Sequence, residues 1–136
     1  MGDMGHAVAR TLREGGHRVL AALEGRSERT RALAASANVE DVGNLPALVS
    51  EADLLLSIMP PAEATGFAAL TASAMRTTNA NPVFLDCNAI APTTTRAIGQ
   101  AIEAAGGVFV DGGIIGAPPG RRTPARLYVS GPDAAP

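Results

Sequence analysis

Short apolar runs bounded by glycine, proline or small polar residues recur along the 136-residue chain, and stretches with helical spacing separate them. Residues 6–16 (HAVARTLREGG) place Val8 and Leu12, with Ala7 and Ala9 nearby, at helical spacing and stop at Gly15-Gly16. HRVLAAL (17–23) predicts a buried parallel strand, SERTRALAASA (27–37) a helix capped by Ser27, and NVEDV a very short strand. NLPALVSEA predicts a short helix with Asn44 as its cap. DLLLSIMPP (53–61) is a strong strand signal ended by Pro60-Pro61, followed by a helix over 62–75 that Gly66 weakens. PVFLDCN (82–88) predicts another strand. Residues 91–107 predict a helix from Pro92 to Gly106-Gly107, with Ile98 and Ile102 one turn apart. VFVDGGII (108–115) and RLYVSG (126–131) complete the strands.

This alternation predicts an α/β fold with a mostly parallel sheet. Right-handed crossovers then place ligand sites at the carboxyl ends of the strands. The segments that follow strands are MGDMG, EGRSE, MPPAEA, CNAIAP and DGGIIGAPPG, all rich in glycine, proline or small polar residues.

Composition narrows the function classes. Hydrophobic residues make up 46% and charged residues 18%, a globular balance, and no apolar run approaches the ~20 residues that span a bilayer. Neither a signal peptide nor a disulfide framework is indicated, since Cys87 is the one cysteine, so cytoplasm is the default expectation. A net charge of −2 and 3% aromatics argue against nucleic-acid binding. All 11 basic residues are arginine, so chemistry that needs a lysine amine is beyond this chain alone.

The first residues carry the sharpest chemistry. Gly2, Asp3, Met4 and Gly5 read as the last four positions of a G-x-G-x-x-G fingerprint, with Met1 in the first variable position. Gly2 would let the backbone approach a pyrophosphate, Gly5 would let the helix pack closely, and the helix N-terminus would offer N–H groups to the anion. A buried strand normally aims such a loop, and none precedes this one. In a 3-2-1-4-5-6 sheet that strand is central, and each buried backbone group left unpaired costs about 1–3 kcal/mol. The expectation is a Rossmann-like, doubly wound, mostly parallel sheet with its first strand missing, forming one domain over residues 1–136. Its neighbours should flank a gap or be drawn together. The adenosine end of a dinucleotide would lie near LEGRSERTR (23–31). There Glu24 would accept from a ribose 2′-OH and favour NAD, while Arg26, Ser27 and Arg29 would hold a 2′-phosphate. The balance favours NADP, read by Arg26 and Ser27, with NAD as the alternative.

Taken together, GDMGHAVARTL, ADLLLSIMPP, FLDCNAIAP and VFVDGGIIGAPP resemble the NAD(P)-binding domain of the 6-phosphogluconate and 3-hydroxyisobutyrate dehydrogenases, over essentially the whole chain. The resemblance implies that Ser57 to Pro60, including Met59 and Pro60, lie along the cofactor. It implies that Asn88, between Cys87 and Ala89, approaches the nicotinamide ribose. It also implies that a loop over 111–118 binds the substrate carboxylate, with Asp111, Gly112, Gly113 and Gly116 as the candidate residues. Ile115 stands where the family usually has serine, and Cys87 and Ala89 stand where it often has hydroxyl residues. The family's catalytic lysine belongs to a following helical domain, which this chain lacks. The expected role is therefore the NADP-binding part of an oxidoreductase for a small hydroxy acid, without turnover on its own and dimeric in full-length form. The alternatives are a non-catalytic binding or regulatory module, and a gene fragment that folds poorly.

Other residues carry blander readings. Cys87 reads as a small core residue, His6 and His17 as surface and strand-entry residues, and Arg121 and Arg122 as solvated loop. Asp86 and Asp111 read as loop-bracing or capping groups without acid–base roles.

Overall fold

The computed structural model describes residues 2–119 and 125–134, so the expectations on Met1, Arg121 and Arg122 lie outside the described residues. Helix α1 (Asp3–Glu14) leads to β1 (Leu20–Ala21), α2 (Glu28–Ser36) and β2 (Glu40–Asp41). Then come α3 (Leu45–Glu51), β3 (Leu54–Ser57), α4 (Pro61–Thr78), β4 (Val83–Asp86), α5 (Pro92–Glu103), β5 (Val108–Ile115) and β6 (Arg126–Ser130). Ser27 caps α2 by accepting from the Thr30 N–H, and Asn44 caps α3 by accepting from Ala47. Both caps follow the sequence expectation, because a short polar side chain before a helix satisfies one of its free N–H groups.

Strands β1 and β2 form a parallel pair, while β3-β4-β5-β6 form a second sheet that is parallel except for the antiparallel β5–β6 pair. Among the described residues no strand bridges β1 and β3, so the expected gap between these neighbours is present as a division into two sheets.

The larger sheet buries one face under α3, α4 and α5. Leu55, Phe84 and Phe109 stand in register on that face, against Val49, Ala64, Ala68, Met75, Ile98 and Ile102. Alanines on α4 and Gly99 on α5 permit close approach; a Cβ on Gly99 would lie 3.0 Å from the Phe109 ring. Helix α4 runs through Gly66, which faces open space and costs only its intrinsic propensity, and on to Thr78, past the expected end. It ends at Asn79, whose φ of 56° is left-handed. The other face of the sheet carries Leu85, Cys87 and Val110. A separate cluster of Ala9, Leu23, Ala34, Ala37 and Val39 joins α1 and α2 to the small sheet.

One expectation is corrected. The strand expected over 108–115 is present as β5, but the loop that the family resemblance placed over 111–118 is not: Asp111, Gly112 and Gly113 lie within β5, opposite Ser130, Val129 and Tyr128 of β6. Glycines lower strand propensity, but the ladder to β6 overrides it. A Cβ on Gly112 would sit 2.8 Å from Leu85 Cδ1 and 3.2 Å from the Asp86 carbonyl oxygen, so this glycine lets the strands meet. Gly116 follows the strand with a φ of 122°, a turn conformation that side chains resist.

Candidate functional site

Parallel register brings Ser57, Asp86 and Asp111 side by side across the carboxyl ends of β3, β4 and β5. Equivalent positions in paired strands point to the same side, so these three form a polar row on the helix-covered face. Ser57 and Asp86 are each 1% exposed. Asn88, just beyond β4, ties the row to the next loop. Its Nδ2 donates to Ser57 Oγ at 2.9 Å and to Asp86 Oδ1, while its Oδ1 accepts from the Met59 N–H at 2.8 Å. Three partners fix the amide's orientation and pin the β3–α4 loop, including Met59 and the N-cap residue Pro60, to the β4–α5 turn.

Asp86 is buried with Oδ2 unpartnered. Burial holds its carboxyl above the ordinary carboxylate range and nearby Asp111 adds to this, against the hydrogen bonds from Ser57 and Asn88. A carboxyl raised by folding stabilises the fold while protonated, below the unfolded-state value, and that contribution is lost as pH rises through the folded-state value. Asp86→Asn is therefore expected to flatten the stability profile above pH 4. The wild-type melting temperature should fall between ordinary and raised carboxylate values while that of the variant holds, as a pH series of thermal melts will read out.

A cleft of about 500 Å³ opens beside this row. It is lined by Asn88 to Ile90, by Pro92, Thr95 and Arg96 of α5, by Asp111 to Gly113 of β5, and by Tyr128 to Ser130 of β6. Asp111 Oδ2 accepts from Ser130 Oγ at 3.1 Å, which braces β6 against β5. The cleft thus unites Asn88 with Asp111, Gly112 and Gly113. Gly116 does not line it. The contribution of α5 and β6 was not anticipated; β6 reads as a strand in the sequence, but nothing there signals that it turns back antiparallel beside Asp111.

The other candidates gather at the first helices. Gly2 caps α1 with φ −96° and ψ −176°, and Asp3, Met4 and Gly5 form its first turn. Asp3 Oδ1 lies 3.3 Å from Arg29 on α2, which draws the start of α1 to the segment holding Arg26 and Ser27. Ser27 Oγ is committed to capping, and the Arg26 side chain has no hydrogen bond or ion pair among the described residues. Glu24 is exposed, its backbone N–H bound to the Gly43 carbonyl.

Cys87 packs in the core, where burial and the carboxylates of Asp86 and Asp111 push its thiol up to about 11. Such a thiol is a poor nucleophile at neutral pH. Asp86 braces the turn after β4 through Asn88 as expected, whereas Asp111 braces strand β6 through Ser130 and not a loop; His6 Nε2 contacts Ser36 Oγ at 3.1 Å. No group of metal-ligating residues and no helix able to cross a membrane occurs among the described residues.

Alternating strands and helices, a cleft at the carboxyl ends of the strands and a glycine-started first helix define a Rossmann-like α/β domain. The family model for the NAD binding domain of 6-phosphogluconate dehydrogenase matches residues 1–135, and the chain belongs to that family. Among solved structures, the conserved protein MTH1747, reported as similar to 3-hydroxyacid dehydrogenases, is 30% identical with a TM-score of 0.81. That match covers 98% of this chain and 48% of the other. Mycobacterium tuberculosis 3-hydroxyisobutyrate dehydrogenase, solved with L-serine, is 25% identical with a TM-score of 0.68, over 85% and 38%. An imine reductase of Streptomyces aurantiacus, 22% identical with a TM-score of 0.73 over 98% and 46%, shares the fold. No curated protein matches the chain. The chain spans about half the length of the first solved chain it matches.

Proposed function

We propose that this chain is the NADP(H)-binding domain of an oxidoreductase acting on a small hydroxy acid. The observation that carries the cofactor reading is Gly2. Its backbone angles suit any residue, and a Cβ there would meet nothing within 4 Å, so the fold itself does not demand glycine. The helix behind it has no side-chain cap, which leaves its first N–H groups for an anion. A pyrophosphate resting on the backbone at Gly2 explains both features. Arg26, without an ion-pair partner among the described residues and placed just before α2, suits a 2′-phosphate, and Ser27 fixes that turn. Asn88 and Met59 lie at strand ends where the nicotinamide half would run, while Asp111, Gly112 and Gly113 border the space for substrate. The bound nicotinamide would supply hydride transfer; the protein's part is to place it and to exclude water. Acid–base assistance by a lysine must come from elsewhere, because the chain has none.

The divided sheet supports a further element of this reading, a parallel strand seated between β1 and β3 and leading into Gly2. A homodimer and a lysine-bearing helical domain belong to the same proposal for the complete enzyme.

Calorimetric titration with NADPH and NADH tests the cofactor reading. NADPH should bind more tightly, and neither titration should be accompanied by turnover. Gly2→Val should weaken both cofactors at least roughly tenfold while changing stability by no more than about 0.5 kcal/mol, as for surface substitutions. Arg26→Gln should cost NADPH roughly tenfold and leave NADH unchanged. If neither nucleotide binds the wild-type chain, the proposal is overturned.

A further inference from the structure

The cleft beside Asn88 holds one positively charged residue among those described, Arg96, one turn into α5. Several arginines of the fold are occupied: Arg18 by Glu40 and Glu51, Arg29 by Asp3, Arg31 by Asp41. Arg96 has no ion-pair or hydrogen-bond partner among the described residues, although it borders a cleft that also holds the Asp111 carboxylate. Asp111 spends Oδ2 on Ser130 and keeps Oδ1 available to accept a further bond. Gly112 and Gly113 line the same cleft, where they put backbone and no side chain at the wall.

We infer that Arg96 is a specificity-determining residue that selects ligands carrying an anionic group, with Asp111 accepting from a hydroxyl at the ligand's other end. The inference rests on the substrate side of the reading above. A planar guanidinium binds carboxylate through two parallel N–H donors, and a neutral ligand of the same shape forgoes that bond. With Arg96 as the cation and Asp111 as the acceptor among the described lining residues, a hydroxy acid is oriented in a single direction, because the reversed pose sets carboxylate against carboxylate. That repulsion rejects the wrong orientation as effectively as the pair at Arg96 rewards the right one.

The test uses this chain and the probe 3-hydroxypropionate, followed by amide chemical shifts and compared with neutral 3-hydroxypropionamide, both with and without NADP⁺. Support consists of saturable shifts at Asn88, Gly112 and Gly113 with the acid, at least roughly fivefold weaker binding of the amide, and a roughly tenfold loss in Arg96→Gln. Arg96→Lys should keep part of the affinity, since it retains charge but not the fork. Arg96 is exposed, so neither variant should alter the melting temperature. Equal binding of acid and amide overturns the inference, as does an unchanged Arg96→Gln titration or shifts confined to arginines outside the cleft. NADPH titrated into the same samples separates the two readings: loss of cofactor binding sinks the cofactor proposal, whereas an acid titration insensitive to Arg96 sinks only this one.

Discussion

Phe84→Ala is expected to destabilise the chain by about 3–5 kcal/mol, the range for truncating a buried phenylalanine. Phe84 is 0% exposed at the middle of the central strand pair, with its ring between Phe67 (centroids 6.2 Å apart) and Phe109 (6.3 Å). These three are all the phenylalanines the chain has. Ala64, Ala68, Ala72 and Ala74 of α4 belong to the same core, and alanines cannot rotate to fill a void. The cavity should therefore persist, which puts the cost toward the upper end of the range. Domains of this size have about 5–15 kcal/mol in total, and the division between β1 and β3 leaves strand edges unpaired, so the variant should be largely unfolded at 37 °C. Phe84→Leu, which keeps most of the volume, should cost less than half as much. Leu70→Ala, at a position 63% exposed on α4, should shift stability by no more than about 0.5 kcal/mol. Urea unfolding of the three variants gives the order directly. Equal midpoints for Phe84→Ala and Leu70→Ala would mean that the three-ring stack is not the centre of the fold.

The parts of this fold that sequence reading reaches are those set by local chemistry. Ser27 and Asn44 announce helix starts because a cap needs only its own side chain and the next three residues. Leu54 to Ser57 and Val83 to Asp86 announce strands as short apolar runs bounded by turn residues, although only β4 is covered on both faces and Leu54 of β3 is exposed. What escapes is set by partners distant in the chain. The apolar pattern makes Gly112 and Gly113 part of a strand over 108–115 while the family likeness makes them part of a loop over 111–118, and only the pairing with β6 decides for strand. The polar row of Ser57, Asp86 and Asp111 needs the register between three strands, which no single segment encodes. Asn88 was singled out through family likeness as a cofactor contact. Its observed bonds run inward to Ser57, Asp86 and Met59, so its structural work precedes any contact with a ligand. Arg96 gave no signal because an arginine early in a helix is ordinary, and only the cleft gives it a neighbour's meaning.

Asn88→Ala is the substitution expected to affect binding and stability together. The amide holds three groups, and its removal leaves the buried Ser57 hydroxyl, the Asp86 carboxyl and the Met59 N–H each short of a partner. A buried polar group stripped of its bond costs about 1–3 kcal/mol, and with water entering the smaller side chain's space the net loss should be about 2–4 kcal/mol. Asp86 is the most exposed to this change, since its Oδ2 is already unpartnered and burial already disfavours its charge. Losing the donor at Oδ1 must raise its carboxyl further, so the variant's deficit should widen as pH rises and narrow in acid. Asp86→Asn in the same background removes the charge that Asn88 helps to hold. The double variant should then lose less than the sum of the single losses if Asn88 acts chiefly by satisfying Asp86. Strict additivity would instead assign the damage to Met59 and the β3–α4 loop. NADPH affinity separates these further. Freed from Asn88, the loop carrying Met59 and Pro60 loses its tie to the β4–α5 turn, so binding should weaken by roughly tenfold or more even where the fold is intact. Full retention of affinity in folded Asn88→Ala would place the cofactor's path away from this end of the sheet.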